Sequence, residues 1–495
     1  MFKRSAGILM PISSLPSEYG IGTLGKAAYD FVDFLDKADQ TYWQILPLGP
    51  TGYGDSPYAS VSTFAGNPYL IDLGMLIEDG ILSKADLKGL EWGDDPEHVD
   101  YGAMYNNRFK ALKSAFVKGS VKYAAEIKKF REENSRWVND YALYMALKKH
   151  FDMKCWIDWT DDDIRMRRNG AVEKYTQLLK DEIDLWVFIQ YLFFTQWDKL
   201  KKYANSKNIK IIGDIPIYVS MDSSDVWSEA RFFMLDRDMR PTLVSGVPPD
   251  YFSADGQLWG NPLYNWDEMK KDGYGWWIRR IDGAKRICDV IRIDHFRGFE
   301  SYWAVKYGEK TARNGKWIKG PGMDLLSILK GWFSSIDFIA EDLGILTDDV
   351  RKLLKDSGFP GMKILEFAFS EGEPSDYLTY KYEPNCVCYV GTHDNDTVMG
   401  WKETAPKYDI KFATEYFGLS EEEGFNFGMI RGGMSSVANI FIAQMQDYLG
   451  LGSEGRMNAP GMEMGNWQWR MKKGAANAKL AAKIAHMTKV CGRNR

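Results

Sequence analysis

Short apolar runs recur along the chain, each with turn-forming Gly, Pro, Asn or Asp close behind. They are Gly7–Ile12, Tyr42–Leu48, Ile209–Ile215, Asp289–Ile293, Phe338–Glu341, Met362–Phe369 and Cys386–Val390. Their length and continuous apolarity predict buried parallel strands. Stretches such as Gly25–Ala38 and Leu346–Asp356 have the pattern of helices between them. Alternating strand and helix of this kind predicts βα units. A weaker run, Gly455–Ala459, is the candidate eighth strand.

The spacing is uneven. About 160 residues separate Leu48 from Ile209, too many for one connection. Within them Asn107–Phe130, Arg136–His150 and Glu182–Asn205 show helical periodicity with Lys and Glu on the polar face. Residues 53–205 are therefore read as an inserted, largely helical subdomain. The charge runs Lys128–Glu133 and Asp161–Asp163 read as its solvated faces. A second excursion, 219–274, is rich in Gly, Pro and aromatics and contains GVPPDYFSADGQLWGNPLYNW at 246–266. A loop of that length inside a compact domain is usually functional. The Ala- and Lys-rich tail Lys472–Arg495 reads as a solvated closing helix. The expected fold class is α/β: one (β/α)8 TIM-type barrel spanning 1–495, with a helical insertion between strands two and three and a long loop insertion after strand three.

Composition narrows the chemistry. The net charge of −5 gives no basic excess for nucleic acid or an anionic membrane. Five cysteines predict a reducing, cytoplasmic setting without a disulfide framework; Cys386 and Cys388 read as small core residues. The start, MFKRSAGILMPISS, is interrupted by Pro11 and is too short for a secretory signal. No run approaches the ~18 apolar residues of a membrane span. Aromatics are abundant, at 18 Trp, 27 Tyr and 26 Phe. They fit either a large core or a carbohydrate site, where rings stack on the apolar face of a sugar.

Polar residues gather where the predicted strands end. In VIRIDHFRG, Arg292 and Asp294 lie two residues apart and leave one face of the strand, with Ile291 and Ile293 on the other. Such a pair is costly on an apolar strand unless it is functional or well paired; a buried structural ion pair is the alternative. DFIAEDLG ends in Glu341 and Asp342, GTHDND supplies His393, Asp394 and Asp396, and GDIPIYV supplies Asp214. Asp342 and Asp396 read as helix N-caps. His98, His150 and His486 have no acidic context of this kind. In a (β/α)8 barrel the C-terminal strand ends converge on one site, so these acids would meet. No HxxxH, HxH or HExxH spacing, P-loop, strand-bound GxGxxG or GxSxG elbow occurs. Carboxylate chemistry on a polyhydroxylated substrate remains, as in retaining glycosidases.

VIRIDHFRG, IAEDLG and GTHDN together resemble the conserved blocks of amylomaltases, also called disproportionating enzymes or 4-α-glucanotransferases, relatives of the α-amylase superfamily. Segments 7–25 and 43–72, GDIPIYV, the 246–266 loop, GRMNAPG and GNWQWR are similar to that family as well. The resemblance covers nearly the whole chain. It implies transfer of α-1,4-glucan segments between maltodextrin chains, with maltooligosaccharides as donor and acceptor and neither metal nor cofactor. It implies Asp294 as nucleophile, Glu341 as general acid then base, and Asp394 as stabiliser of the distorted sugar. Arg292 would keep Asp294 ionised. Asp214 matches the superfamily's first block, although the Asn-His pair usual after it in α-amylases is missing. His393 would bond the bound glucose, His295 would lie beside it, and Tyr58 would stack on it with Ser56 nearby. Tyr251, Phe252, Gln257 and Trp259 would belong to the loop covering the site. The sugar-platform reading then extends to Tyr53 and Tyr264, while Trp186, Phe188, Tyr191, Phe193 and Phe194 stay core. An α-glucan hydrolase and a non-catalytic glucan-binding barrel are the alternatives.

Overall fold

The computed structural model describes residues 2–52, 54–168, 170–249, 253–344, 346–372, 374–462 and 464–495. Among them lie the strands β1 (Ser5–Leu9), β2 (Tyr42–Gln44), β3 (Lys210–Ile215), β4 (Leu243–Val247), β5 (Gln257–Pro262), β6 (Val290–Ile293), β7 (Ser301–Lys306), β8 (Gly315–Lys319), β9 (Asp337–Ala340), β10 (Gly361–Ile364), β11 (Cys386–Tyr389) and β12 (Ile440–Gln444). Eight of them form one parallel sheet in the order β10-β11-β12-β1-β2-β3-β6-β9. The ring closes where Ala340 N donates to Pro360 O (2.9 Å). Asp342 completes the seam, its carboxylate accepting from Met362 N at 2.6 Å. Gly361 leaves room for it, since a Cβ there would lie 2.6 Å from Asp342 Oδ2. The fold is a (β/α)8 barrel.

Alternation along each strand sorts the side chains. Leu9, Tyr42, Ile212, Val290, Ile339, Met362, Val387 and Ile440 belong to the inner apolar cluster that fills the barrel. Their neighbours, among them Ile8, Trp43, Ile211, Ile291, Ile293, Phe338, Cys386 and Cys388, pack outward. Both cysteines are thus core residues.

Between β2 and β3 the chain forms the helices Tyr101–Lys122, Ala124–Glu133, Val138–His150 and Lys180–Ser206, among shorter ones. Trp186, Phe188, Phe193 and Phe194 are buried there. The stretch after β3 is more than a loop. It contributes β4 and β5, which join β7 and β8 in an antiparallel sheet of order β5-β4-β7-β8.

Four sequence expectations change. The eighth barrel strand is Ile440–Gln444, and 455–459 forms the connection beyond it. The true strand runs without a break into the helix Met445–Leu449, so no turn residue sets it off. Asp342 bonds across the barrel seam instead of capping a helix; Thr347 caps the helix that follows. Asp396 likewise precedes the true cap, Thr397. The closing helix Ala478–Val490 forms, but it buries Ala481, Ile484 and Thr488.

Beyond that helix Arg493 is fully buried. Its guanidinium donates to the carbonyls of Met434, Ser5, Asn439, Ser436 and Ala438, clamping the N-terminal ends of β1 and β12. Arg493→Ala removes all five bonds, although Arg4 still reaches the Met434 and Ser436 carbonyls and Ser5 N the Asn439 carbonyl, and is expected to cost about 3 kcal/mol. The melting temperature should fall while specific activity of the folded chain is unchanged.

Candidate active site

The C-terminal mouth of the barrel gathers polar groups from four strands. Alternation that places Val290 inside the barrel also places Arg292 and Asp294 inside. Asp214 follows from β3, Glu341 extends β9, and the segment after β11 carries His393 and Asp394.

Arg292 is buried and Nη1 bridges two carboxylates, Asp214 Oδ2 at 2.5 Å and Asp294 Oδ1 at 3.1 Å. Tyr58 OH donates to Asp214 Oδ2 at 2.7 Å and lies 2.8 Å from His393 Nε2. A phenol has one proton, so Tyr58 accepts from His393 and the proton of His393 sits on Nε2. The Tyr58 and His393 rings stack at 5.3 Å and 15°, and Trp467 lies 5.9 Å from Tyr58. Ser56 supports this arrangement from below, Oγ accepting from Tyr58 N at 3.2 Å.

Glu341 is held by two backbone N–H groups. His295 adopts a left-handed backbone, φ 51°, which turns its N–H onto Glu341 Oε2 at 2.7 Å. Leu343 N donates to Oε1 at 2.7 Å. The His295 ring meets the edge of Trp259 at 4.8 Å. Trp259 is 39% exposed, and its Nε1 donates to Gln257 Oε1 at 3.2 Å. On the far side, Asp394 Oδ1 accepts from Asn458 Nδ2 at 2.6 Å, and His393 Nε2 stands 3.4 Å from Oδ2.

These surroundings separate the acids. Burial raises Glu341 to about 8, helped by the nearby charge of Asp294 and opposed by Arg292. Burial also raises Asp294, to about 6; Arg292 pulls it down while Asp214 and Asp394 push it up. Arg292 thus favours the charged form of Asp294 without overcoming burial. Asp214 is raised by burial against the pull of Arg292 and Tyr58. His295 falls to about 3, chiefly through burial and also through Arg297, and stays neutral; burial lowers His393 too. One carboxyl is therefore protonated at neutral pH and its neighbour ionised, the combination that acid and nucleophile roles require.

The mouth thus unites Ser56, Tyr58, Asp214, Gln257, Trp259, Arg292, Asp294, His295, Glu341, His393 and Asp394. Tyr53, Tyr251 and Phe252 lie outside the described residues. Tyr264 is not a sugar platform: it is fully buried, and its hydroxyl donates to Ile217 O. Sequence reasoning missed Arg456, Asn458 and Trp467. GRMNAPG and GNWQWR held the signal, which the misplaced eighth strand obscured. No group of three or more His, Cys, Asp or Glu among the described residues could hold a metal ion. No helix among them is long and apolar enough to cross a membrane.

The sequence model of a family described as 4-alpha-glucanotransferase matches residues 10–476. The chain is 52% identical over 486 residues to a 4-alpha-glucanotransferase of Clostridium butyricum, covering 98% of this chain and 100% of the relative. It is 44% identical over 501 residues to that of Thermus thermophilus, covering 99% of each. An amylomaltase from Streptococcus agalactiae, solved in complex with acarbose, superposes with a TM-score of 0.97 at 42% identity and covers 100% of both chains. With barrel, strand-end acids and near full-length similarity in agreement, the chain belongs to the 4-alpha-glucanotransferase family.

Proposed function

We propose that the chain transfers α-1,4-glucan segments between maltooligosaccharides by double displacement with retention. The observation that carries this reading is the convergence at the barrel mouth of two half-buried carboxyls held in different ways, Asp294 by Arg292 and Glu341 by the N–H groups of His295 and Leu343; burial raises both and Glu341 the further. Asp294 attacks the anomeric carbon while Glu341 protonates the departing glycosidic oxygen, leaving a glycosyl ester on Asp294. Glu341, now ionised, takes the proton of an incoming sugar 4-hydroxyl, which displaces Asp294. Asp394 and His393 hold the ring hydroxyls, and Tyr58 lies against the same sugar. One glycosidic bond breaks and one forms, so the balance closes without a cofactor.

Transfer prevails over hydrolysis where the acceptor is held beside the ester and water is excluded. We assign that role to the 219–274 region, whose sequence includes Tyr251 and Phe252 and whose Trp259 meets the His295 ring, with Gln257 bonded to it. The helices of 53–205 then serve as an inserted subdomain that carries no acid of the mechanism. Incubation with maltotriose is expected to yield glucose and longer maltodextrins at constant total reducing ends. Reducing ends that rise in step with cleavage would identify a hydrolase instead.

A further inference from the structure

We propose that Asn458, held by Arg456, is a positioning residue that sets the orientation of Asp394; this inference rests on the reading of Asp394 as the stabilising acid. Residues 455–459 follow β12, the ring neighbour of β11, and so lie beside Asp394. Asn458 Nδ2 donates to Asp394 Oδ1 at 2.6 Å. An ionised carboxylate only accepts, so the carboxamide must present its NH2 group to it. The bond occupies one oxygen and leaves Oδ2 turned to the site.

Arg456 fixes both partners at once. Nε donates to Asn458 O at 2.8 Å and Nη2 to Asp394 O at 3.1 Å. Nη1 lies 3.8 Å from Asp396 Oδ2, which also accepts from Ser453 Oγ at 2.7 Å. One guanidinium thus ties the connection after β12 to the segment after β11. The residue types suit the task. A neutral amide holds a carboxylate in one rotamer without neutralising it, so its charge remains available to a sugar cation. A lysine in the place of Asn458 would consume that charge. The charged and titratable groups facing Asp394 are His393 on its own segment, Asp214 from β3, Asp294 from β6, Tyr58 from the connection after β2, and Arg456.

Two variants test the assignment in the full chain. Asn458→Ala should lower kcat about 10- to 100-fold, the scale of a lost hydrogen bond to a charged group, with KM for maltotriose changed by no more than about threefold. Asn458→Asp keeps the shape but sets a second carboxyl against Asp394, and close carboxyls share one proton. With that proton in place the new side chain donates as the Asn458 amide does. Without it the two charges repel. Activity of the Asn458→Asp variant should therefore approach the parent at acid pH, and its alkaline limb should move down by about one unit or more. A kcat within twofold of the parent for Asn458→Ala, or an unshifted profile for Asn458→Asp, overturns the assignment. Asp394→Asn separates the two readings: loss of activity with an unmoved Asn458→Asp profile defeats the positioning role alone, whereas retained activity defeats the role of Asp394 and this inference with it.

Discussion

Asp294→Asn is expected to reduce glucan transfer by about 10,000-fold or more, because the amide has the shape of the carboxylate and no nucleophilic oxygen to give. The effect belongs to chemistry and not to folding. Asp294 makes one described ion pair, to Arg292, which retains Asp214 at 2.5 Å. Burial raises the Asp294 pKa from 3.8 to about 6, so the folded chain holds this proton more tightly than the unfolded chain. The stability contributed by the group therefore falls as pH rises from about 4 to about 6. Its removal should leave thermal stability at pH 7 equal to or above that of the parent. A well-folded variant that no longer redistributes maltotriose, and on which no glycosyl ester forms, is the expected result. Unchanged activity would refute the nucleophile.

Glu341→Gln should lower kcat about 100- to 10,000-fold, the scale of general acid–base catalysis. The pH profile gives a sharper signature. With Asp294 as the proposed nucleophile and Glu341 as the proposed acid, the parent's activity should fall below about 6 and above about 8. Glutamine does not titrate, so the alkaline limb should vanish while the acid limb, set by Asp294, stays. A donor with a leaving group that needs no protonation, such as a glycosyl fluoride, should restore the first step. The ester on Asp294 should then accumulate, visible as an added glycosyl mass on the intact protein, since the base of the second step is missing. An alkaline limb that survives the substitution would assign it to another group.

Much of the site was legible in the chain because a barrel strand has only two faces. Once Val290 faces inward, Arg292 and Asp294 must follow, and the same alternation carries Asp214 and Glu341 to the mouth. The eighth strand was not legible in this way. Ile440–Gln444 has no turn residue after it, and only pairing with β1 and β11 separates it from the flanking helices. Misplacing it hid Asn458, whose role depends on which strand precedes it. Aromatic side chains also resisted reading. Tyr264 and Trp259 stand five residues apart in one Gly- and Pro-rich stretch, yet the first is fully buried and the second is open.

What the sequence determined by itself was local: where seven of the barrel strands lie, their inward and outward faces, and which chemical groups stand at strand ends. These follow from periodicity and side-chain chemistry, which need only neighbours along the chain. The tertiary structure decided which of those ends face one another and which acid keeps its proton. Glu341 and Asp294 are ordinary carboxyls in the sequence. They diverge because closing the barrel desolvates both and sets the charge of Asp294 beside Glu341, which outweighs the pull of two backbone N–H groups on that carboxyl, while Arg292, between Asp294 and Asp214, holds Asp294 lower.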